Sequence, residues 1–575
     1  MSGFAGTLDR LTARLLAERN AAGHWEGELS SSALSTALAS IALHLAGEEP
    51  ALTGGGLDWL ERTQNPDGGF GDTVKSISNI STTALCWAAF TICGRKSDAA
   101  AKVEAWMQRA AGSLEPQTLA NAISARYGND HTFSVPILTV LAVADLVPWR
   151  LVPQLPFELA AFPRSWFRWL GLPVVSYALP ALIAIGHVRH RRQRSWNPVA
   201  LALRAVTARE TLRVLQAIQP SNGGFLEATP LTAFVSISLR QAGYVDSPVL
   251  RKGLDFLKAS VRSDGSWPID TNLATWVTTL SVNALRERLP ADVRPSIRRW
   301  LLDQQYRDTH PYTGAPPGGW AWTNLPGAVP DADDTPGALV ALANLGAKDA
   351  EAVNAASAGV EWLLGLQNRD GGIPTFCRGW GRLPFDRSSQ DLTAHTLLAW
   401  NAWRDLLDPP LQTRVDQAIA RALDYLKATQ RSDGAWVPLW FGNQHAPGDE
   451  NPVYGTARVL IALRTTDRLQ GCASKAASWL CSIQNADGGW GGDRNVASSI
   501  EETALAVSAL SLCGQIQAAE RGGEWLAQYT SEGAETPTSP IGFYFAKLWY
   551  FEHLYPLIFA VDAMSRLEKA THTSP

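Results

Sequence analysis

Charge is scarce in this chain. Lys, Arg, Asp and Glu make up 18% of its 575 residues, against roughly 25% in typical soluble domains. The net charge of −4 leaves no broad basic surface, which argues against nucleic acid as a partner. Cysteine is also sparse. The six (Cys86, Cys93, Cys377, Cys472, Cys481 and Cys513) show neither metal-ligand spacing nor the density of a disulfide scaffold, so a reduced, cytosolic setting is the expectation. Residues 1–20 carry Asp9, Arg10, Arg14, Glu18 and Arg19 without an apolar core, unlike a secretory signal. No stretch alternates with the period of a strand. What the chain has in excess is tryptophan, 23 residues in an apolar share of 46%. The length suggests about two to four domains.

One pattern recurs. Leu57-Asp58-Trp59-Leu60…Gln64 leads to Asp67-Gly68-Gly69-Phe70, and Leu254-Asp255-Phe256-Leu257 leads to Asp264-Gly265-Ser266-Trp267. Further copies end at Asp370-Gly371-Gly372-Ile373, Asp433-Gly434-Ala435-Trp436 and Asp487-Gly488-Gly489-Trp490, each after a Gln. Weaker copies end at Asn222-Gly223-Gly224-Phe225 and Gly318-Gly319-Trp320. In the C-terminal half the period is roughly 50 to 60 residues, enough for a helix pair and a loop. Each copy reads as an amphipathic helix ending at the Gln, with the Asp-Gly pair supplying a left-handed C-cap. The expected fold is all-α, with the helix pairs closed into α/α barrels. The motif itself reads as architecture, since glutamines and stacked aromatics hold helix ends.

The copies fall into two groups separated by a long interruption. Within it, residues 171–186 are uncharged and apolar but short for a spanning helix, and Arg189, Arg191, Arg192 and Arg194 follow. Insertion into one leaflet, with the arginines at anionic headgroups, is the expected role. A buried core helix is the alternative.

Asp331-Ala332-Asp333-Asp334 is the segment that bears on chemistry. It follows Trp320-Ala321-Trp322 and Val329-Pro330 and precedes Thr335. Three carboxylates within four residues in an apolar setting cannot all ionise, and both like charge and burial push at least one of them toward the protonated form. Such an acid within an aromatic box suits chemistry that creates and guards a carbocation.

With these residues in view, the chain resembles the squalene-hopene cyclases and their class II terpene cyclase relatives. The repeats look like that family's QW motifs, and Asp331 to Thr335 looks like its DxDDT motif. The resemblance runs from Gly23-His24-Trp25 to Gly542-Phe543-Tyr544 and Leu554-Tyr555-Pro556. It implies two α/α barrels around a central cavity. Residues 1–20 and 269–575 would form the catalytic barrel, and residues 21–268 a second barrel with the membrane-contacting segment. It also implies a squalene-like polyprenyl substrate, monotopic attachment to one leaflet on the cytoplasmic side, no metal or other cofactor, and a homodimer. Asp333 matches the proton donor, Asp331 and Asp334 its supporting carboxylates. His395 matches the donor's hydrogen-bond partner, with Asp391 behind it, and a protonated imidazole there would strengthen the acid. Trp322, Trp440, Trp276 and Tyr454 match cavity aromatics, with Phe376, Phe543 and Tyr177 as weaker matches. Their π faces would stabilise cations and hold the polyene folded.

The chain also departs from that pattern. It is shorter than the typical member. A polar-aromatic loop and its Tyr are missing between Gly372 and Phe376. Val277 stands where the family has Asp. Glutamates that hopene-forming members carry in the first helix pairs are absent around Ser30 to Ser35 and at Leu85, which argues against hopene or hopanol as product, and Glu227 is a candidate substitute. The leading expectation is therefore a class II cyclase of squalene or a similar polyprenyl. A second is a cyclase of a prenyl diphosphate yielding a drimane- or labdane-type product, with Lys75, Arg126 and His131 as candidate diphosphate ligands. A third is a non-catalytic barrel scaffold or a protein prenyltransferase subunit, which would need zinc, with Cys377 near Asp391 and His395.

Overall fold

The computed structural model describes residues 5–573 except 129, 171, 173–174 and 544–546. Its helices arrange into two closed double-layered rings. In the first, α1 (Ala33–Ala46), α2 (Ile80–Ile92), α3 (His131–Val143), α4 (Val175–Arg192) and α5 (Thr229–Gln241) form the inner ring, each against the next and α5 against α1. In the second, the inner ring is α6 (Ala274–Leu285), α7 (Asp334–Asn344), α8 (Gln390–Trp403), α9 (Pro452–Leu463), α10 (Ile500–Leu512) and α11 (Tyr555–Thr573), closed by α11 on α6. The N-terminal helix Ala5–Ala17 packs outside α11. Inner helices are apolar nearly all round, as expected when both faces are covered. In α6, for example, Ala274 to Val282 are all buried.

The repeated motif fastens one outer helix to the next. The amide of each Gln donates twice, to the Gly carbonyl four residues on and to a carbonyl of the following outer helix. Gln64 bonds Gly68 and Ala99, Gln367 bonds Gly371 and Ala418, and Gln484 bonds Gly488 and Ala518, at 2.7–3.0 Å. Gln219 and Gln430 do the same, and Gln305 reaches the Gly318 carbonyl thirteen residues on together with Ala355 of the following outer helix. The motif tryptophans Trp267, Trp320, Trp436 and Trp490 donate their indole N–H to Leu257, Leu301, Leu426 and Leu480, back on the outer helix that precedes them. The expected glycine C-cap is corrected here. The helix ends at the Gln, which is already out of helical geometry at Gln367 (φ −54°, ψ 122°), and Gly371 (φ +90°) turns the chain four residues later. A Cβ at Gly371 would meet the Arg421 carbonyl oxygen at 2.3 Å, so the close approach requires glycine.

A small antiparallel sheet that periodicity does not reveal, β1 (Phe441–Gly442), β2 (Ile541–Phe543) and β3 (Leu548–Tyr550), lies where the rings meet. The Trp549 N–H donates to Asp72 of the first ring at 2.8 Å.

The described part of the apolar stretch 171–186 is not laid out as an outer surface. It is largely the inner helix α4, where Leu179, Ile183, Ile185 and Val188 are buried. Two of the arginines after it are occupied within the protein. Arg189 donates to the Val152 carbonyl, and Arg191 lies 4.2 Å over the Tyr244 ring. The exposed apolar surface flanks the stretch instead, at Trp166, Trp169 (87% exposed), Leu170, Trp196 (97%), Val199 and Val206. No helix among the described residues is long and apolar enough to cross a membrane.

Candidate active site

The acid segment ends in the first turn of α7. Asp331 Oδ1 accepts the backbone N–H groups of Asp333 and Asp334 at 2.8 and 2.9 Å, so this carboxylate satisfies two donors that a helix start leaves unpaired. Asp331 and Asp334 are both buried and share a side-chain hydrogen bond. Burial pushes Asp331 up to about 7, and burial with the adjacent Asp331 charge pushes Asp334 well above the usual carboxylate range. Both carboxyls are thereby held toward the protonated form.

Asp333 points the other way. Its Oδ1 lies 2.7 Å from His395 Nδ1, and its side chain remains 19% exposed against 7% for His395. Asp391 and His395 are one turn apart on α8 and share a face. The Ser389 hydroxyl, just before that helix, donates to Asp391. Burial, followed by the charge of Asp333, pushes Asp391 up to about 6. Burial also holds His395 below its ordinary value, outweighing its hydrogen bond to Asp333. Burial therefore works against the protonated imidazole that the family resemblance implies, because a desolvated site disfavours the charged ring.

The aromatic residues expected at the site form two groups. Trp276 meets the His395 ring edge-on at 6.1 Å and donates its indole N–H to the Tyr555 hydroxyl at 2.9 Å. Tyr454 on α9 is buried and stacks on Phe441 at 4.5 Å, with the Arg458 guanidinium 5.5 Å from its ring centre. The second group gathers around Phe376, which contacts Trp322, Trp440 and Tyr177 at 5.1–6.5 Å. Tyr177 comes from the first ring and donates its hydroxyl hydrogen to the Phe376 carbonyl at 3.1 Å. Two links tie the groups together. The Trp276 N–H donates to the Trp322 carbonyl, and the Ala332 N–H donates to Thr375, whose hydroxyl accepts from Trp440. Phe543 pairs through its backbone with Phe441, but its side chain lies outside the described residues.

Residues 8–223 match the squalene-hopene cyclase N-terminal domain model, and residues 272–569 match the C-terminal domain model. The chain belongs to the squalene-hopene cyclase family. Among its relatives is a probable squalene–hopene cyclase of Sinorhizobium fredii, 25% identical over 98% of this chain and 96% of that protein. Enfumafungin synthase of Hormonema carpetanum is 27% identical over 85% of this chain, which spans 42% of that relative's length. A copalyl diphosphate synthase of Streptomyces cyslabdanicus is 32% identical over 43% of this chain and 40% of that protein. The solved ent-copalyl diphosphate synthase of Streptomyces platensis shares the fold, with a TM-score of 0.59 at 18% identity over 98% of this chain and 99% of that one.

Family resemblance left several residues of the site unmarked. Phe385 joins the Phe376 group, with ring contacts to Phe376, Tyr177 and Trp440. Tyr550 and Tyr555 bring their hydroxyls within 3.3 Å of each other. Arg458 carried a signal that could have been read, as the lone charge in the apolar helix α9. At the family's carboxylate position Val277 is fully buried on α6. Glu227 is fully buried with both oxygens engaged, by Asn222, by the Gly327 N–H at 2.6 Å and by Thr271. Lys75 donates to Thr538 at 2.8 and 2.9 Å, whereas Arg126 Nε is buried with no partner. The His131 side chain lies outside the described residues.

Proposed function

We propose that the protein is a class II cyclase that protonates the terminal alkene of squalene or a similar long polyprenyl. The observation that carries this reading is the Asp333–His395 contact of 2.7 Å, in a half-open position beside buried carboxyls and stacked aromatics. The terminal π bond takes the proton from Asp333 and leaves a tertiary cation. Each following alkene attacks the cation before it, one ring at a time, and loss of a proton or capture of water ends the sequence. Asp331 organises the turn that presents Asp333, while Asp334, held toward the protonated form, keeps a second negative charge away. His395, backed by Asp391, orients the donor. Trp322, Phe376, Phe385, Trp440 and Tyr177 offer π faces to the migrating charge, and Trp276 and Tyr454 flank the initiating end.

The same reading gives residues 1–20 and 269–575 to the catalytic barrel and residues 21–268 to the other. It takes the exposed Trp166, Trp169, Leu170, Trp196, Val199 and Val206 as the surface set into one leaflet on the cytoplasmic side, through which a water-insoluble substrate enters. One observation favours a prenyl diphosphate instead, the buried and unpartnered Arg126 Nε. The Asp333→Asn variant tests the chemistry. It keeps its helical circular dichroism and melting temperature and loses polyprenyl turnover. Substantial residual turnover contradicts the role of Asp333.

A further inference from the structure

A guanidinium inside a protein is costly unless something balances its charge. Arg458 sits on the inner helix α9, one turn after Tyr454 and on the same face. Its guanidinium lies 5.5 Å from the centre of the Tyr454 ring, and Nη2 is buried without a hydrogen-bond partner. α9 packs against α8, the helix of Asp391 and His395, and α8 packs against α7, which Asp333 directly precedes as the N-cap residue. The charge therefore acts through space on the acid centre.

We propose that Arg458 is the positioning cation of this centre: its fixed charge, rather than a protonated His395, stabilises the carboxylate that Asp333 becomes on giving up its proton. The proposal rests on the reading of Asp333 as the donor. Its surroundings favour it. From the N-terminal end of α7 and the turn before it come Asp333 and the Asp331–Asp334 pair, from α8 Asp391 and His395, from α9 Tyr454, and from β3 Tyr550. On α11, Arg566 is already paired with Asp562 at 2.9 Å. On α10, Glu501 is bonded to the Ser539 N–H, and Glu502 to Ser499, Asn443 and Asn451. That leaves Asp333 and Asp391 as the carboxyls that feel Arg458, and both favour its charged form. Arg458 in turn adds to the burial that disfavours the charged form of His395. Two cations at one small site repel, so a permanent one on α9 displaces a titratable one on α8.

The test uses the full chain as wild type, Arg458→Lys and Arg458→Met, with Arg458→Gln replacing the Met variant if that does not fold. Histidine carbon NMR, assigned with His395→Gln, follows the His395 titration without substrate. Turnover of squalene and of geranylgeranyl diphosphate is followed at about pH 6 and about pH 8, spanning the imidazole range. The proposal predicts that His395 titrates higher in the Met variant. It also predicts that kcat of this variant at the higher pH falls about 100-fold, the scale of losing one preorganised electrostatic group, while KM stays nearly constant. Lowering the pH then restores part of kcat as His395 takes the proton, and the Lys variant stays close to wild type. An unchanged His395 titration, or a loss that is equal at both pH values and in both variants, overturns it. Wild type inactive on either substrate would instead remove the functional reading, and the histidine titration would still decide whether Arg458 sets the charge of His395.

Discussion

Asp333 and its two neighbouring carboxylates show how position divides labour among identical side chains. Asp331 is consumed by the turn, Asp334 is buried and held toward the protonated form, and Asp333 is the one hydrogen-bonded to His395. The sequence shows three acids competing for charge, and resemblance to the family singles out the middle one. Nothing in the spacing could bring in His395, which lies 62 residues away, and the charge of Arg458 has no motif at all. The burial that works against a charged imidazole was not legible either, since motif context says what a side chain touches and not how dry its surroundings are. Trp322 and Trp440 give a prediction at this scale. A cation–π contact is worth about 0.5–2 kcal/mol, so Trp440→Ala should shift the partition between ring closure and early proton loss by roughly 2- to 30-fold. Gas chromatography of the products should show a larger share of partly cyclised hydrocarbon. An unchanged product ratio with only slower turnover would show that the ring is packing.

Among the elements, the helix pairs were legible because apolar periodicity and a repeated Gln signal each one. The detail of the stop was not. Sequence suggests a glycine cap, whereas the Gln amide joins a turn to the neighbouring helix through two carbonyls. Replacing buried Gln367 with Ala leaves the carbonyls of Gly371 and Ala418 without that donor, at a cost of about 1–3 kcal/mol for each buried group left unsatisfied. The melting temperature should drop while the product spectrum of the surviving enzyme stays the same. A changed spectrum with unchanged melting would assign Gln367 to the site rather than to the scaffold. The stretch at 171–186 misled for a related reason. An uncharged apolar run reads alike whether protein or lipid covers it, and only closure of the first ring through α4 decides that protein does.

Across the whole molecule, two closed rings meeting at a small sheet bury many carboxyls, and this carries a pH signature. Burial pushes Glu501 and Glu552 up to about 8. Their stabilising contribution is complete below the unfolded-state value near 4.5 and is lost as pH rises through the folded value. Buried histidines such as His187, pushed down to about 3 by burial, act in the opposite sense, but only below 6.5. Between about 6.5 and 8.5 the carboxyls govern, so thermal stability should fall with rising pH. Glu552→Gln should flatten that slope. Melting temperatures that rise across the window would contradict this accounting. At the same scale, the exposed tryptophans beside α4 predict that Trp169→Ser with Trp196→Ser weakens binding to phospholipid vesicles in a flotation assay and leaves the helical content unchanged. Equal flotation of variant and wild type would remove that surface from the account.

The central claim is that Asp333 protonates an alkene of a polyprenyl chain without diphosphate. The most direct test is product analysis by gas chromatography and mass spectrometry, with detergent-solubilised enzyme given squalene and, separately, farnesyl and geranylgeranyl diphosphate. The account predicts a cyclic triterpene from squalene that disappears in Asp333→Asn. Silence on squalene, with a cyclic product that still carries its diphosphate from either prenyl diphosphate, would contradict it.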